Sequence, residues 1–382
     1  MSTTPRATRA IVVQKREGTS SGETYHGAVL ETRPIPSLED GEILVKMGAV
    51  AFNHRDIWIR KGLYPNIGFG CVFGADGAGT VIASSDSNDP LLSKRVFLSP
   101  QQGWTSHPDA PESPAFGVIG GVKFPTIGTF SEYVVVARDQ VLLSPEHLDD
   151  VSVAAWPLAG VTAWRATMIN GQVLEGQNVL ITGIGGGVAL VALQLCLAKG
   201  ANVYVTSGNP DKIEKAKRLG AKGGVNYQDP KWGKNLQVLL QETSTSGLLD
   251  VVIDSGGGDI MGIVGNSLKQ GGRVPNTGQA RQPTDHLHHA SCHEKSKAFG
   301  LVFNSLLLID QVTDLQLSGS TMGSIADLKA ATEFISIHKI VPVISDIVEG
   351  LENAEEGFEK LKRGGQFGKV VIRIGGVNKP RL

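Results

Sequence analysis

The stretch "VLITGIGGGVALVALQLCLAKG", Val179 to Gly200, changes period halfway. Its first residues, Val179 to Thr182, read as a strand, a cluster of glycines follows, and a segment apolar on nearly every side then reads as a helix. A single helix through all of it would be about twenty residues long, enough to cross a bilayer. Gly185, Gly186 and Gly187 in succession argue against that, because each glycine costs about 1 kcal/mol in a helix interior. Strand, turn and helix remain. Gly183, Gly186 and Ala189 are spaced so that a tight turn, close approach to a pyrophosphate and close helix-to-strand packing can each be met by a minimal side chain, a near variant of G-x-G-x-x-G/A. The first helix of a parallel sheet also presents unpaired N–H groups and the positive end of its dipole, which suits phosphate. A glycine-rich turn without a ligand is the other reading, and the surroundings of the turn decide between them.

Those surroundings alternate. From Asn178 onward come strand "NVLIT", helix "GVALVALQLCLAKG", strand "NVYVT", helix "PDKIEKAKRLG", strand "GVNY", a helical stretch around Lys234 to Glu242, strand "DVVIDS", helix "IMGIVGNSLKQG" and strand "GRVPNTG". This order predicts a parallel sheet with helices on both faces. Asn209 before Pro210 is a good helix start, an N-cap side chain followed by a residue with no N–H to lose. Before about Trp156 the chain instead carries short β-branched runs among glycines and prolines, "EILVKMGAVAF", "GAGTVIAS", "RVFLS" and "SEYVVVARDQVLL", the pattern of an antiparallel domain of many strands. One helix-like piece, "NHRDIWIRKG", interrupts them. The loop from Ser99 to Thr129 is long and rich in proline and glycine, which predicts irregular structure. After about Gly319, "SIADLKAATEFISIHKI", "VPVISDIV" and "FGKVVIRI" suggest a tail returning to the first domain.

At 382 residues, 41% of them hydrophobic, the chain is long enough for two cores. With 36 basic and 37 acidic side chains the net charge is -1, so there is no general electrostatic reason to expect nucleic acid or an anionic membrane as partner. Cys71, Cys196 and Cys292 are far apart and odd in number, which argues for a reducing compartment. The start "MSTTPRATRA" lacks acids like a transit peptide, but strand-like "AIVVQK" follows at once, and the ending "PRL" matches a peroxisomal signal only weakly. The cytoplasm is the expected location.

The choice of dinucleotide falls at the end of the second strand, where an acid would hold a free ribose 2′-hydroxyl. Here the residues are "VYVTSGNP", with no carboxylate before Asp211. Thr206, Ser207 and Lys212 can instead donate hydrogen bonds to a 2′-phosphate, which points to NADPH. For Lys212 alone, a solvated helix position is the competing reading.

Together with these residues, "AFNHRDIWIRKGLYP", "GADGAGTV", "GTFSEYVVV", "AGVTAW", "TGIGGGVA", "KIEKAKRLGA" followed by "NY", "DVVIDSGGG", "LKQGGRV" and "FGKVVIRI" resemble the medium-chain dehydrogenase/reductase superfamily over nearly the whole chain. Within it the chain resembles the zinc-independent quinone oxidoreductases of the zeta-crystallin type. The resemblance implies an α/β architecture: a GroES-like antiparallel β catalytic domain over 1–156, a Rossmann doubly wound parallel sheet binding NADPH over 157–319, and a segment over 320–382 that returns to the catalytic domain. It implies a cleft between domains, Thr162 near the nicotinamide, and Lys212 and Tyr227 bracketing the 2′-phosphate side of the adenosine. The cofactor-binding set is then Thr162, Gly183, Gly185, Gly186, Gly187, Val188, Thr206, Ser207, Lys212, Tyr227 and Gly278. Asn53, Asp56, Tyr64 and Asp76 would line the first-domain wall. The relatives usually pair through their cofactor domains, so a homodimer is expected, with a small-molecule substrate as the other partner.

The zinc alcohol dehydrogenases of the same superfamily hold zinc with a cysteine and a "GHE" histidine. At the matching positions this sequence has Asn53 and Ala75, and an amide and a methyl do not replace a thiolate and an imidazole. No catalytic metal is therefore expected, and the loop from Ser99 to Thr129 contains none of the cysteines that a structural zinc would require. The segment "TDHLHHASCH", with His286, His288, His289, Cys292 and His293, invites a metal but shows no clean ligand pattern, and reads as a polar surface stretch.

Without a Lewis acid, alcohol oxidation loses its main source of charge stabilisation, whereas hydride delivery to a quinone, enone or enal depends on metal less. Tyr64 is the candidate donor to the substrate oxygen, with Asn53 positioning it; a rim tyrosine and a structural amide are the plain alternatives. Asp56 completes the candidate catalytic set, although it and Asp76 are expected to brace the wall through backbone hydrogen bonds. Trp58, Phe69 and Trp104 are candidates for an aromatic wall. Three functions compete: an NADPH-dependent reductase of quinones or α,β-unsaturated carbonyls, a trans-acting enoyl reductase of polyketide assembly, and an NADPH-binding sensor or structural protein without turnover.

Overall fold

The structure, a computed structural model, describes residues 5–16, 24–278 and 314–375. The chain divides into two compact units, Met1–Gly160 with Ser324–Leu382, and Val161–Gly323. The division falls inside a helix, Pro157–Trp164, four residues beyond the boundary read from the sequence; Trp156, just before it, is tied to the first unit by its indole N–H, 3.0 Å from the Thr332 hydroxyl. In chain order the first unit contains β1 (Ala7–Gln14), β2 (Gly27–Pro34), β3 (Glu42–Ala51), α1 (His54–Arg60), β4 (Asp76–Ser84), β5 (Arg95–Leu98), β6 (Gln101–Gln102), β7 (Gly117–Val118), β8 (Tyr133–Ala137), β9 (Val141–Leu143), α2 (Asp150–Ala154) and α3, the helix at the division. The second contains β10 (Asn178–Ile181), α4 (Gly187–Ala198), β11 (Asn202–Ser207), α5 (Pro210–Arg218), β12 (Gly223–Asn226), α6 (Trp232–Thr243), β13 (Leu249–Ile253), α7 (Ile260–Val264), β14 (Leu268–Asn276) and β15 (Gln316–Gly319). The chain then returns to the first unit with α8 (Ile325–Ile337), β16 (Ile344–Glu349), α9 (Ala354–Arg363) and β17 (Lys369–Arg373).

The second unit is a six-stranded parallel sheet in the order β12-β11-β10-β13-β14-β15. Strand order reverses next to β10, the point at which open sheets of this kind bind ligands beyond their strand ends. Helix α4 is apolar around its circumference because Ala189 to Leu193, Leu195 and Cys196 are all buried; burial explains its composition without a membrane. None of the described helices is long and apolar enough to cross one. The helix read over "IMGIVGNSLKQG" is shorter than its pattern suggested: α7 ends at Val264, a 3-10 turn covers Gly265–Ser267, and β14 begins at Leu268. Gly265 itself keeps helical dihedrals, φ −53° and ψ −42°, and the tighter 3-10 turn that it begins leads the chain from α7 into β14.

The first unit is built on a sheet in the order β16-β17-β3-β4-β5-β9, with β8 pairing β3. The returning tail supplies two of its strands: β17 runs antiparallel to β3, and β16 parallel to β17. Helix α9, which the sequence reading passed over, carries acids in its first turn and lysines and arginine in its last, as its dipole favours, and ends on Gly364 in the left-handed conformation. Its inner face delivers Phe358 into a group of edge-on rings, 5.0 Å from Phe52, 5.3 Å from Phe73 and 6.4 Å from Phe130 between centroids. A Cβ at Gly357 would run into the Phe52 ring, so glycine lets the helix come this close. The loop after β5 is irregular apart from the short pair β6–β7, yet it is held: the Glu112 carboxylate accepts the backbone N–H groups of Thr105, Ser106 and His107, which pull its pKa down to about 2.

Phe358 is fully buried at the centre of the aromatic group. Phe358→Ala should destabilise the first unit by about 3–5 kcal/mol, measured as a fall in its urea midpoint, while the Rossmann unit unfolds as before.

Candidate active site

In the second unit the turn after β10 is shaped as the glycine spacing requires. Gly183 has φ +67° and Gly185 φ +126°, conformations that side chains with a Cβ resist. Gly186 is the N-cap of α4, and a Cβ added to it would meet nothing within 4 Å, so the backbone there faces open space. Gly187 and Val188 open the helix with no acidic residue in its first turn. A helix start with bare main chain, an open cradle and no competing carboxylate fits a diphosphate.

Two longer side chains lie across this region because glycines leave them room. A Cβ on Gly185 would come within 2.8 Å of the Lys212 Cδ and 3.2 Å of its Nζ, so the Lys212 side chain passes over the turn itself. A Cβ on Gly208 would come within 2.7 Å of the Tyr227 hydroxyl. Lys212 therefore lies against the turn after β10. Ser207 closes β11, and its hydroxyl oxygen accepts the Asn209 N–H at 3.1 Å. Thr206 and Ser207 are 2% and 4% exposed; the Thr206 hydroxyl oxygen accepts the Gly183 N–H at 3.1 Å, and its carbonyl accepts the Ile184 N–H at 2.8 Å. Thr206 thus braces the turn. Thr162 is buried, with its hydroxyl 3.7 Å from the Met322 sulfur.

Asp254, at the end of β13, ties these strand ends together and was missed as a site residue, although it lies in "DVVIDSGGG". One carboxylate oxygen accepts from the Thr182 hydroxyl at 2.7 Å and the Gly256 N–H at 3.1 Å; the other accepts from the Gly257 N–H at 3.2 Å and the Asn276 amide at 2.9 Å. Asn276 in turn accepts the N–H of Gly278 at 2.7 Å, and Gly278 adopts φ +57°. The predicted Gly278 is thus joined to the end of β10 through one buried carboxyl, whose pKa burial raises.

In the first unit the structure brings together Asn53, Asp56 and Asp76, and adds Lys369. Ala51 of β3 lies opposite both Asp76 of β4 and Val371 of β17, so residues just past these strand ends converge. The Lys369 ammonium is 2.7 Å from Asn53 Oδ1 and 2.7 Å from Asp76 Oδ2, and Asn53 Nδ2 donates to the same Asp76 oxygen at 2.9 Å. Asp76 Oδ1 accepts the Leu158 N–H at 2.8 Å. All three are buried, Asn53 at 8%, Asp76 at 0% and Lys369 at 5% exposure. Asp56 opens α1 by accepting the Asn53 N–H at 2.8 Å, while its Oδ1 is buried with no hydrogen-bond partner; burial pushes its carboxyl up to about 6, against the pull of Arg55. Tyr64 joins through Arg55, whose guanidinium is 4.6 Å from the tyrosine ring and 4.0 Å from Asp56 Oδ1. The three candidate wall residues have separate partners: Trp104 stacks edge-on with Phe116, Phe69 with His26, and Trp58 lies under the Lys61 ammonium.

A tetrahedral zinc needs thiolate, imidazole or free carboxylate donors. Asn53 and Ala75 supply an amide and a methyl; of the two carboxylates beside them, Asp76 already holds an ammonium and Asp56 holds the Asn53 backbone N–H. This donor set does not fit zinc. Among the described residues no group of three or more His, Cys, Asp or Glu is placed to hold a metal. The segment His286 to His293 lies outside the described residues.

The fold, a GroES-like and a Rossmann unit, is that of an oxidoreductase. The family described as "Alcohol dehydrogenase GroES-like domain" matches residues 39–146, and that described as "Zinc-binding dehydrogenase" matches 187–336. The chain is 37% identical, over 94% of its length and 98% of the relative's, to the zinc-type alcohol dehydrogenase-like protein YogA of Leptosphaeria maculans. It is 30% identical to a zinc-type alcohol dehydrogenase-like protein of Schizosaccharomyces pombe, over 88% of this chain and 92% of the other. A crystal structure of an NAD-dependent alcohol dehydrogenase, 30% identical, superposes with a TM-score of 0.76 over 96% of this chain and 100% of its own. This protein belongs to the medium-chain dehydrogenase/reductase superfamily.

The buried Asp56 sets a pH dependence of stability. Its folded pKa of about 6 lies above the ordinary 3.8, so between these values the folded form keeps a proton that the unfolded form releases, and stability falls as pH rises. Comparison of urea midpoints from pH 4 to pH 7 should show Asp56→Asn gaining relative to the parent by up to roughly 3 kcal/mol as pH increases, with no relative gain below pH 4.

Proposed function

We propose that this protein is an NADPH-dependent reductase that delivers hydride to quinones or to the β-carbon of α,β-unsaturated carbonyl compounds, with no metal at its reactive centre. The observation that carries this reading is the donor set at Asp76, where Lys369 places an ammonium 2.7 Å from the carboxylate and Asn53 and Ala75 replace metal-binding side chains. Oxidation of a simple alcohol gains most from a Lewis acid on oxygen. A conjugated acceptor spreads its developing charge over several atoms and needs only a hydrogen-bond donor or two at its oxygen.

NADPH supplies the hydride when bound. The main chain from Gly183 to Val188 would hold its diphosphate at the start of α4, with Lys212 adding a positive charge over Gly185. Ser207, Lys212 and Tyr227 would meet the 2′-phosphate, and no carboxylate stands at the end of β11 to repel it. Asp254 fixes the loops beyond β10, β13 and β14 through its four hydrogen bonds, which keeps the nucleotide surface in one shape. Thr162 would lie on the nicotinamide side of the bound cofactor.

Mixing the purified protein with NADPH and a panel of quinones, enones and enals should give acceptor-dependent loss of nicotinamide absorbance at 340 nm on the order of 1–100 turnovers per second. Tight NADPH binding with silence across the panel would leave a sensor or structural protein instead, and activity confined to carrier-bound enoyl thioesters would mark an enoyl reductase. Lys212→Ala should weaken NADPH on the order of tenfold or more and NADH much less, since a charge-assisted bond to phosphate is worth about 1.5–3 kcal/mol; equal losses in a fluorescence titration would remove Lys212 from the phosphate site.

A further inference from the structure

Lys369 is drawn into the first unit from 316 residues beyond Asn53 and 293 beyond Asp76. Gly368 makes its approach possible: its φ is +121°, and a Cβ there would strike the Val343 carbonyl. If the three strand ends needed only bracing, apolar side chains of the same volume would do as well, because burying an ion pair costs several kcal/mol of desolvation. What the charged cluster adds is direction. An ammonium only donates and a carboxylate only accepts, so the Asn53 amide has one orientation, Oδ1 to Lys369 and Nδ2 to Asp76. Turned over, it would set its NH₂ against the ammonium and its oxygen against the carboxylate.

The Asn53 NH₂ carries two N–H donors, of which, among the described residues, only one is taken, by Asp76. Because Oδ1 is bonded to a cation, the amide is polarised and its remaining N–H is a stronger donor than that of a free asparagine. Asp56 and Arg55 are the other charged groups around it; Asp56 holds the Asn53 backbone N–H, which fixes the main chain at the same residue. Resting on the reductase reading above, we propose that Lys369 is a positioning residue: its buried ammonium, anchored on Asp76, locks the Asn53 amide with one N–H unspent, and that N–H is the donor that meets the carbonyl oxygen of the acceptor. Asn53 thereby takes the role the sequence reading gave to Tyr64. Lys369 acts through an amide instead of binding the substrate.

The test combines kinetics with hydrogen exchange on the full chain. Asn53→Ala and Lys369→Met should each lower kcat for an enone on the order of 100-fold, the usual loss for one oxyanion donor, with NADPH affinity changed less than about twofold. Lys369→Met added to Asn53→Ala should cost less than about threefold more, because a residue acting only through Asn53 has nothing left to act on. Full multiplication of the two losses, or an unchanged kcat in Lys369→Met, would overturn the proposal. If Lys369→Met does not fold, Lys369→Met with Asp76→Asn, which removes both charges, takes its place. In protein labelled with ¹⁵N at asparagine side chains, the Asn53 amide protons should exchange at least about tenfold faster in the lysine variant; equal protection would sink the clamp whatever the kinetics. A parent protein that binds NADPH but reduces no acceptor would remove the reductase reading and the acceptor half of this proposal, and the exchange rates would still judge the clamp.

Discussion

Lys369 and Asp76 meet 2.7 Å apart, both out of solvent, at the ends of strands that only the fold makes neighbours. Neither charge would be stable there alone: removing one partner of a buried pair costs about 3–5 kcal/mol because the other is left unpaired. The pair therefore requires β17 to lie against β3 and β3 against β4 in the observed register, with Ala51 opposite Asp76 and Val371. It also requires the tail to come back after the Rossmann unit, since β17 is the last strand described. The aromatic group around Phe358 holds that return in place from the other direction, with α9 pressed onto Phe52 across Gly357.

The Rossmann unit has a counterpart in Asp254. Both carboxylates are buried and both organise backbone at the ends of neighbouring strands, but they differ in their partners. Asp76 holds a cation, and Asp254 holds two backbone N–H groups, a hydroxyl and an amide. Hydrogen bonds to the charged form act against burial, which nonetheless raises the Asp254 pKa. The result is a rigid rim around a turn that is itself bare main chain. Thr206 belongs to the same rim: its hydroxyl and carbonyl take the N–H groups of Gly183 and Ile184, leaving Gly186 as the open point of the surface.

Much of this was legible in the sequence where the signal is local. The change from period two to a buried helix at Gly187, the cap at Asn209 with Pro210, and the missing acid at the end of β11 all depend on residues a few positions apart, and they placed the glycine turn and the kind of ligand it suits. Alternation of strands and helices gave the parallel sheet. Helix α9 was passed over because its apolar positions are few and its surface strongly charged, so that its single deep contact, Phe358, does not stand out without the rings it meets. The pattern over "IMGIVGNSLKQG" misled in the opposite sense, since an apolar run with glycine in it serves a short helix and the start of a buried strand equally well.

The sequence by itself determined the two architectures and the glycine-rich turn, and it set an amide and a methyl at Asn53 and Ala75. These follow from which residue types are present and how closely they are spaced. Only the tertiary structure decided that Thr206 supports the turn, that Asp254 links three strand ends, and that a lysine beyond the Rossmann unit closes on Asn53. The reason is physical: a buried hydrogen bond or ion pair is specified by the geometry of strands paired across hundreds of residues, and no local period in the chain records which donor will reach which acceptor.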